Sequence, residues 1–256
     1  MLLPGGDDVR PIQRLLVVLP ALNEEGSVGE VVTQVRQAQP AADVLVVDDG
    51  STDRTAQVAD AAGALVLSLP FNLGVGGAMR AAFRYAQVEG YTHLVQVDAD
   101  GQHDPAEITE MLAAARTADV VVGARFAGRG SYEAAGPRRW AMRVLAVVLS
   151  RVTGTRLTDP TSGLRLATAP AIAVFARHYP EEYLGDTVES LVIAHRVGLR
   201  IAQVPVVMRP RTTGQASQSP VRAAVYLLRV VVAVLLALVR TAPDVDPRDL
   251  APVAGP

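Results

Sequence analysis

Two aspartates one residue apart, Asp98 and Asp100, follow a short apolar run at residues 92–97. The run is typical of a buried strand, and its abrupt end predicts that both carboxylates lie at a sheet edge. Like charges this close repel each other and are costly to desolvate, so they favour a bound cation. Mg2+ and Mn2+ take carboxylate oxygens and keep positions open for substrate phosphates. The pair therefore predicts a divalent-metal site completed by Gln102 or His103, and the alternative is a polar turn after a strand.

Two earlier segments also place polar residues directly after apolar runs. The run at residues 14–20 leads into residues 21–27, which include Asn23, Glu24 and Glu25, and the run at residues 43–47 ends at the consecutive acids Asp48 and Asp49. The carboxyl ends of parallel strands meet at one edge of a sheet, where α/β proteins bind their ligands. Polar clusters at the ends of three strands therefore predict a cleft, and together they are a stronger signal than any one of them.

Apolar runs alternate with helical patterns along most of the chain. Strands are predicted at residues 14–20, 43–47, 64–69, 92–97, 119–122, 162–166 and 200–207, and helices at residues 28–37, 54–62, 74–88, 105–115, 138–152, 169–177 and 184–197. This alternation is typical of an α/β fold with a mostly parallel sheet and helices on both faces. The 256 residues are 50% hydrophobic, which is enough for a sizeable core.

Composition excludes several kinds of chemistry. The chain has no cysteine, which excludes disulfides, thiolate nucleophiles and cysteine-ligated zinc. All 24 basic residues are arginine, so no lysine is present for a Schiff base or a Walker phosphate loop. The formal net charge is -2, yet residues 138–240 carry 14 arginines against 5 acidic residues. This basic half favours a phosphate-bearing substrate or an anionic membrane, whereas 4% aromatic residues and no nucleic-acid motif disfavour nucleic acid.

The two ends of the chain bear on its location. Residues 1–10 lack the apolar core of a signal peptide, which predicts a protein that starts in the cytoplasm. Residues 218–241 predict an apolar helix, but their uninterrupted apolar part, residues 230–239, is much shorter than the roughly 20 residues that span a bilayer. A helix lying on the membrane and a core or interface helix both remain open. Residues 242–256 predict a flexible tail.

Seven short motifs are distributed along residues 14–217. They are PALNE at residues 20–24, VDDGSTD at 47–53, NLG at 72–74, DADGQH at 98–103, GARF at 123–126, TSGLR at 161–165 and RTTGQAS at 211–217. In this order they resemble family 2 glycosyltransferases of GT-A fold, and among them the polyprenyl-phosphate (dolichyl-phosphate) hexosyltransferases. The resemblance implies a GT-A, Rossmann-like catalytic domain over residues 1–217, followed by the apolar helix and the tail.

The resemblance also implies a nucleotide-sugar donor that lies across the strand ends. It assigns the base and ribose to Pro20, Leu22, Glu24, Asp48 and Asp49, and the Mg2+ or Mn2+ on the donor diphosphate to Asp98, Asp100 and Gln102. It assigns the donor and acceptor phosphates to Arg125, to an arginine at Arg138 or Arg139, and to the loop from Arg211 to Ser217. Arginine suits this task because its planar fork binds phosphate oxygens in pairs. The implied transfer inverts the anomeric centre.

The hypotheses differ mainly in the acceptor. A polyprenyl phosphate is already largely ionised and needs only orientation, whereas a hydroxyl acceptor needs a general base, for which Asp159, Asp186 and Glu189 are candidates. The leading hypothesis is transfer of a hexose from a UDP- or GDP-sugar to polyprenyl phosphate by an enzyme at the cytoplasmic membrane face. The alternatives are a soluble acceptor (a sugar, a glycerol derivative or a natural-product intermediate) and a catalytically silent scaffold of a membrane complex. The sequence leaves a homo-oligomer open.

Overall fold

The computed structural model describes residues 14–125, 137–180 and 186–209, with the backbone alone at residues 137–141. Its strands are β1 (Leu15–Ala21), β2 (Asp43–Asp48), β3 (Leu65–Ser68), β4 (His93–Gln96), β5 (Val120–Ala124), β6 (Arg165–Thr168) and β7 (Ile201–Pro205). Its helices are α1 (Val28–Ala38), α2 (Thr55–Ala61), α3 (Gly74–Val88), α4 (Ile108–Ala114), α5 (Pro137–Thr153), α6 (Ala169–His178) and α7 (Asp186–Arg196). A short 3-10 helix, Pro105–Glu107, precedes α4.

Among the described residues, the strands form one sheet in the order β3-β2-β1-β4-β6-β5-β7. All pairings are parallel except those of β6, which runs antiparallel to both β4 and β5. The predicted mostly parallel sheet is therefore confirmed. Because β6 is reversed, its first residue, Arg165, pairs with Gln96 at the end of β4 and with Val122 of β5. The segment that leads into β6 thus reaches the sheet edge where the other strands end.

Alternate residues of the central strands pack against helices on opposite faces of the sheet. Leu16 and Val18 of β1 belong to a core with α3, α5, α6 and α7, whereas Val17 and Leu19 belong to a core with α1, α2 and α4. Burial on both faces explains why these strands appear in the sequence as continuous apolar runs. The predicted placement of helices on both faces is confirmed.

Strand β6 begins at Arg165, three residues later than the sequence predicted. The difference arises from Arg165 itself, whose guanidinium donates to the carbonyls of Pro160 and Ser162. These contacts fold the preceding residues into a loop over the start of the strand. Within the described ranges, no helix is both long enough and apolar enough to cross a bilayer. The predicted helix at residues 218–241 and the tail lie outside those ranges.

Candidate active site

The loops after β1 and β2 are joined by hydrogen bonds that cross between them. The Asn23 N–H donates to Ser51 Oγ (2.9 Å), and Asn23 Oδ1 accepts the N–H of Thr52 (2.9 Å). The Glu24 N–H donates to Thr55 Oγ1 (2.8 Å). Asn23 has a left-handed backbone, with φ of 55°, a conformation that asparagine tolerates better than most residues. These five residues are called the β1–β2 platform below.

Asp48 and Asp49 are buried at the same sheet edge and organise the loops around them. Asp48 Oδ1 accepts the N–H of Ser51 (3.0 Å). Asp49 Oδ1 accepts the N–H of Leu73 (2.7 Å), immediately before α3. The second contact connects the loop after β3 to the loop after β2. Three neighbouring strand ends therefore form one continuous surface.

The other residues predicted to contact base and ribose lie at this edge too. Pro20 pairs with Val47 in the register of β1 and β2, and Leu22 is 39% exposed. Glu24 is half-buried, and its carboxylate accepts the hydroxyl of Ser27 (2.7 Å). The structure thus brings all five predicted residues to adjacent strand ends. Their contacts with a nucleotide stay a prediction.

Asp98 follows β4 and is held from two sides. The Nε2–H of the buried His103 donates to Asp98 Oδ2 (3.0 Å). The backbone of Gly163 approaches so closely that an added Cβ would lie 2.6 Å from Asp98 Oδ1. Burial opposes ionisation, but the hydrogen bond from His103 and the charges of His103 and Arg125 hold the pKa of Asp98 below its usual value. The Asp98 side chain nevertheless remains 41% exposed, so an ionised carboxylate is available at the strand end.

Asp100 and Gln102 form a turn just beyond Asp98. Asp100 Oδ1 accepts the N–H of Gln102 (3.0 Å), and both residues are half-buried. In the part of the chain that the structure describes, no three His, Asp or Glu side chains converge into a complete metal cage. Magnesium-type sites that serve phosphates commonly use one or two carboxylates and leave other positions to the substrate and water. The oxygen donors of Asp98, Asp100 and Gln102 fit such a shared site, with His103 orienting Asp98.

Arg125 follows β5 and forms a two-point ion pair with the fully buried Asp159. Its Nη2 donates to Asp159 Oδ1 (2.8 Å), while its Nε and its backbone N–H donate to Oδ2. Nη2 also donates to Thr161 Oγ1 (3.3 Å). Both oxygens of Asp159 are therefore used to hold Arg125. This geometry favours a positioning role for Asp159 over the general-base role considered from sequence, which requires an oxygen within reach of the acceptor.

The buried Arg165 closes the loop that leads into β6. In addition to the carbonyls of Pro160 and Ser162, it donates to Ser190 Oγ on α7 (2.9 Å). Burial lowers the pKa of this guanidinium from its ordinary value. Arg165 thereby holds residues 159–163 at the ends of β4 and β5. Gly163 and Arg165 belong to the motif TSGLR, but the sequence predicted no role for either residue.

Asp186 is buried at the start of α7, where the charges of Arg165 and Asp98 act on it. Burial raises its pKa to about 6, with the charge of Asp98 acting in the same direction and the Thr187 N–H and Arg165 opposing the rise. A carboxyl group with a pKa near 6 is better matched to proton transfer near neutral pH than an ordinary one. Glu189 lies within the first turn of α7 and is half-buried. Among the predicted bases, Asp186 therefore has the environment best suited to the task.

Four residues predicted to bind phosphate have no described side chain. Arg138 and Arg139 lie in the first turn of α5, where the structure gives the backbone alone. Arg211 and Ser217 lie outside the described residues. Their roles stay predictions.

A family model described as glycosyl transferase family 2 matches residues 16–179. The match extends from β1 through α6 and includes the platform, Asp98, Asp100, Arg125 and Asp159. It covers more than half of the chain. The protein therefore belongs to glycosyl transferase family 2 and is a glycosyltransferase, as the motif order predicted.

Two relatives align over most of the chain. An undecaprenyl-phosphate mannosyltransferase of Micrococcus luteus is 34% identical over 213 residues, which cover 80% of this chain and 88% of the relative. A polyprenol monophosphomannose synthase of Mycolicibacterium smegmatis is 31% identical over 238 residues, which cover 84% and 86% of the two chains. The resemblance to polyprenyl-phosphate hexosyltransferases is thus confirmed by sequence similarity.

The fold also matches solved structures. Glucosyl-3-phosphoglycerate synthase from Mycobacterium tuberculosis, in complex with Mn2+, UDP and glucosyl-3-phosphoglycerate, superposes with a TM-score of 0.68. The alignment covers 90% of this chain and 81% of that chain at 24% identity. At this identity the similarity shows the fold alone, and it confirms the predicted GT-A architecture.

Proposed function

We propose that this glycosyltransferase moves a hexose from a UDP- or GDP-sugar to a polyprenyl phosphate at the cytoplasmic face of the membrane, with inversion of the anomeric centre. The observation that supports binding of the nucleotide-sugar donor is the pair Asp98 and Asp100 beside the β1–β2 platform. Asp98 is oriented by His103 and kept ionised by its surroundings. The acceptor half is supported by the two relatives, whose names state transfer to, or synthesis on, a polyprenyl carrier.

The platform is proposed to bind the nucleoside. Its crossing hydrogen bonds fix the loops after β1 and β2 before any ligand arrives, which reduces the entropy lost on binding. Leu22 offers an exposed apolar surface for a base, and Glu24, Asp48 and Asp49 offer acceptors for ribose hydroxyls.

Asp98, Asp100 and Gln102 are proposed to hold Mg2+ or Mn2+ on the donor diphosphate. When bound there, the metal ion neutralises the negative charge that accumulates on the departing nucleoside diphosphate. Arg125 carries a permanent positive charge at the end of β5, and Asp159 fixes its direction. A preorganised cation of this kind stabilises the developing charge without reorganising during the reaction.

The acceptor attacks the anomeric carbon as the bond to the diphosphate breaks, and the diphosphate leaves with that bonding pair. A phosphate monoester is already ionised near neutral pH, so the chain needs only to orient it. Arg138 or Arg139 and the loop from Arg211 to Ser217 are proposed for this orientation. If the acceptor were a hydroxyl group, Asp186 is the proposed proton acceptor, because its pKa is raised to about 6.

Helix α5 supports association with an anionic membrane. One stripe of the helix exposes Val144, Val147 and Val148, and it is flanked by the exposed Arg143 and Arg151. The sequence of α5 contains no acidic residue. An apolar stripe bordered by arginines is typical of a helix that lies at a bilayer surface. We propose that this stripe and residues 218–241 place the catalytic domain, residues 1–217, on the membrane.

The proposed reaction is tested with the purified full-length chain, Mn2+ and a panel of UDP- and GDP-hexoses. Polyprenyl phosphate in vesicles is offered in parallel with soluble sugars and glycerol derivatives, and products are identified by mass spectrometry. We expect a lipid-linked hexose phosphate of inverted configuration by NMR. Transfer to the soluble acceptors alone contradicts the lipid acceptor. If the donor is consumed with neither the lipid nor the soluble acceptors, the proposal as a whole is contradicted.

The membrane surface has its own test in sedimentation with phosphatidylglycerol vesicles. We expect Val147→Glu to weaken vesicle binding, because the variant places a negative charge within the exposed stripe. Val88→Glu is the matched control, since Val88 is 81% exposed at the end of α3. Equal binding by the two variants contradicts the role of the stripe.

A further inference from the structure

Residues 206–209 leave the sheet after β7 and pass onto the loop that contains the proposed metal ligands. The Val206 N–H donates to the carbonyl oxygen of Ala124 (3.1 Å), the residue that precedes Arg125. Val207 N–H then donates to Glu107 Oε1 (3.2 Å). Met208 forms an antiparallel bridge with His103, the residue that orients Asp98. This short segment therefore contacts both the end of β5 and the loop after β4.

Arg209 fixes the end of that segment with three contacts. Its backbone N–H donates to the carbonyl of Gln102 (2.9 Å). Its guanidinium forms an ion pair with Asp104 Oδ2 (2.9 Å) and donates to Gln34 Oε1 on α1 (2.8 Å). A fork-shaped cation can serve two acceptors at once, which a single ammonium group cannot do with the same geometry. The guanidinium thus connects the metal loop to α1 at the point where the chain continues to Arg211.

We propose that Arg209 is a positioning residue that fixes residues 102–104 of the metal loop against α1. The inference rests on the proposed function, which assigns Asp98, Asp100 and Gln102 to the metal ion. Arg209 holds this loop through the carbonyl of Gln102 and the carboxylate of Asp104. The position of Gln102, a proposed metal ligand, therefore depends on Arg209.

The support from Arg209 has a physical consequence for metal binding. Groups that orient metal ligands from behind typically change metal affinity or activity by about 10–100-fold when removed. Arg209 and Asp104 are both partly exposed, which places the expected effect at the lower end of that range, about tenfold. Loss of the guanidinium should therefore raise the Mn2+ concentration for half-maximal activity, while binding of the metal-free nucleotide stays unchanged.

Arg209→Ala, Arg209→Lys and Asp104→Asn test the proposal in the full chain, with titration calorimetry of Mn2+ plus UDP, and of Mn2+ plus GDP, beside the kinetic assay. We expect Arg209→Ala to weaken Mn2+–nucleotide binding about tenfold. Arg209→Lys should recover part of this loss, because lysine can still pair with Asp104. The double variant Asp104→Asn/Arg209→Ala should match Arg209→Ala alone, since the two residues act through one contact.

Arg200→Ala is the matched control. Arg200 directly precedes the first residue of β7, at the other end of that strand from Arg209, and it pairs with Asp119. Its loss therefore removes a comparable ion pair away from the site. The inference is overturned if Arg209→Ala and Arg200→Ala change the melting temperature and the metal affinity alike. It is also overturned if only kcat falls. If the wild-type chain neither binds Mn2+–nucleotide nor transfers sugar, both the proposed function and this inference are contradicted. If the wild type transfers sugar and Arg209→Ala has the same metal affinity and activity as the wild type, this inference alone is contradicted.

Discussion

The two halves of the catalytic edge are built from different interactions. The β1–β2 platform is held mainly by backbone N–H groups that donate to neutral side-chain oxygens, as between Asn23 and Ser51. The ends of β4, β5 and β6 are held by charges. There Arg125 pairs with the fully buried Asp159, and Asp98 is paired with His103. These residues, with the nearby Asp186, are called the charged cluster below.

The difference matches what each half is proposed to bind. A nucleoside is recognised by shape and hydrogen bonds, which neutral contacts between rigid loops can supply at any ionic strength. A diphosphate brings several negative charges, which metal ligands and a fixed arginine can balance. Disrupting the charged cluster should therefore change ionisation, metal binding and turnover. Disrupting the platform should change stability and nucleotide binding by smaller amounts.

Asp159→Asn should have the largest effect on stability. The change removes the charge of a buried carboxylate and leaves the Arg125 guanidinium without the opposite charge that balances it, which typically costs about 3–5 kcal/mol. Urea unfolding measures the loss. Asp119→Asn is the comparison, because its arginine partner, Arg200, is 53% exposed and can be solvated. Equal losses in the two variants would show that burial of Arg125 does not make its ion pair more important for stability than the exposed pair of Arg200.

Asp100→Ala should have the largest effect on turnover. The loss of a carboxylate that is proposed to bind the metal ion should remove several kcal/mol of transition-state stabilisation, which corresponds to a fall in kcat of about a hundredfold to a thousandfold. The folded state should lose little stability, since Asp100 is half-buried. Asp60→Ala, at an exposed aspartate on α2, is the control for removing one carboxylate. Mn2+-dependent activity at the wild-type level in Asp100→Ala would show that Asp100 does not hold the metal ion.

Asp186→Asn should change how stability depends on pH. Burial raises the pKa of Asp186 from 3.8 to about 6 in the folded state, so the folded chain binds a proton that the unfolded chain releases between about pH 4 and pH 6. Ionisation of Asp186 therefore destabilises the wild type progressively as pH rises through this interval. The asparagine variant lacks that loss, and its stability relative to wild type should grow by about 2–3 kcal/mol between pH 4 and pH 7. Urea midpoints across pH measure the difference, and a constant difference would contradict the raised pKa.

Strand periodicity and the acids at strand ends were sufficient to predict most of the fold and the meeting of the candidate site residues at one sheet edge. The runs at residues 14–20 and 43–47 became β1 and β2 nearly unchanged, because both faces of these strands are buried. The direction of β6 could not be predicted, since a four-residue strand carries no signal of its orientation. The partners of Arg125 and Arg209 could not be predicted either, because each pair joins loops that only the folded sheet brings together.

Asn23 gives the smallest predicted effect and the sharpest test of the platform. Asn23→Ala removes the acceptor for the Thr52 N–H and also the polar side chain that lets asparagine adopt a φ of 55° at low cost, so we expect a loss of about 2 kcal/mol. Asn23→Gly removes the same acceptor without the steric cost at positive φ, so its loss should be nearer 1 kcal/mol. The difference between the two variants measures the backbone cost, and the loss in the glycine variant measures the crossing hydrogen bond. Nucleotide affinity without metal should fall in both, while the Mn2+ dependence stays unchanged because Asp98 and Asp100 lie on another loop. A shift in Mn2+ dependence as large as that of Asp100→Ala would show that the two halves of the edge act as one unit.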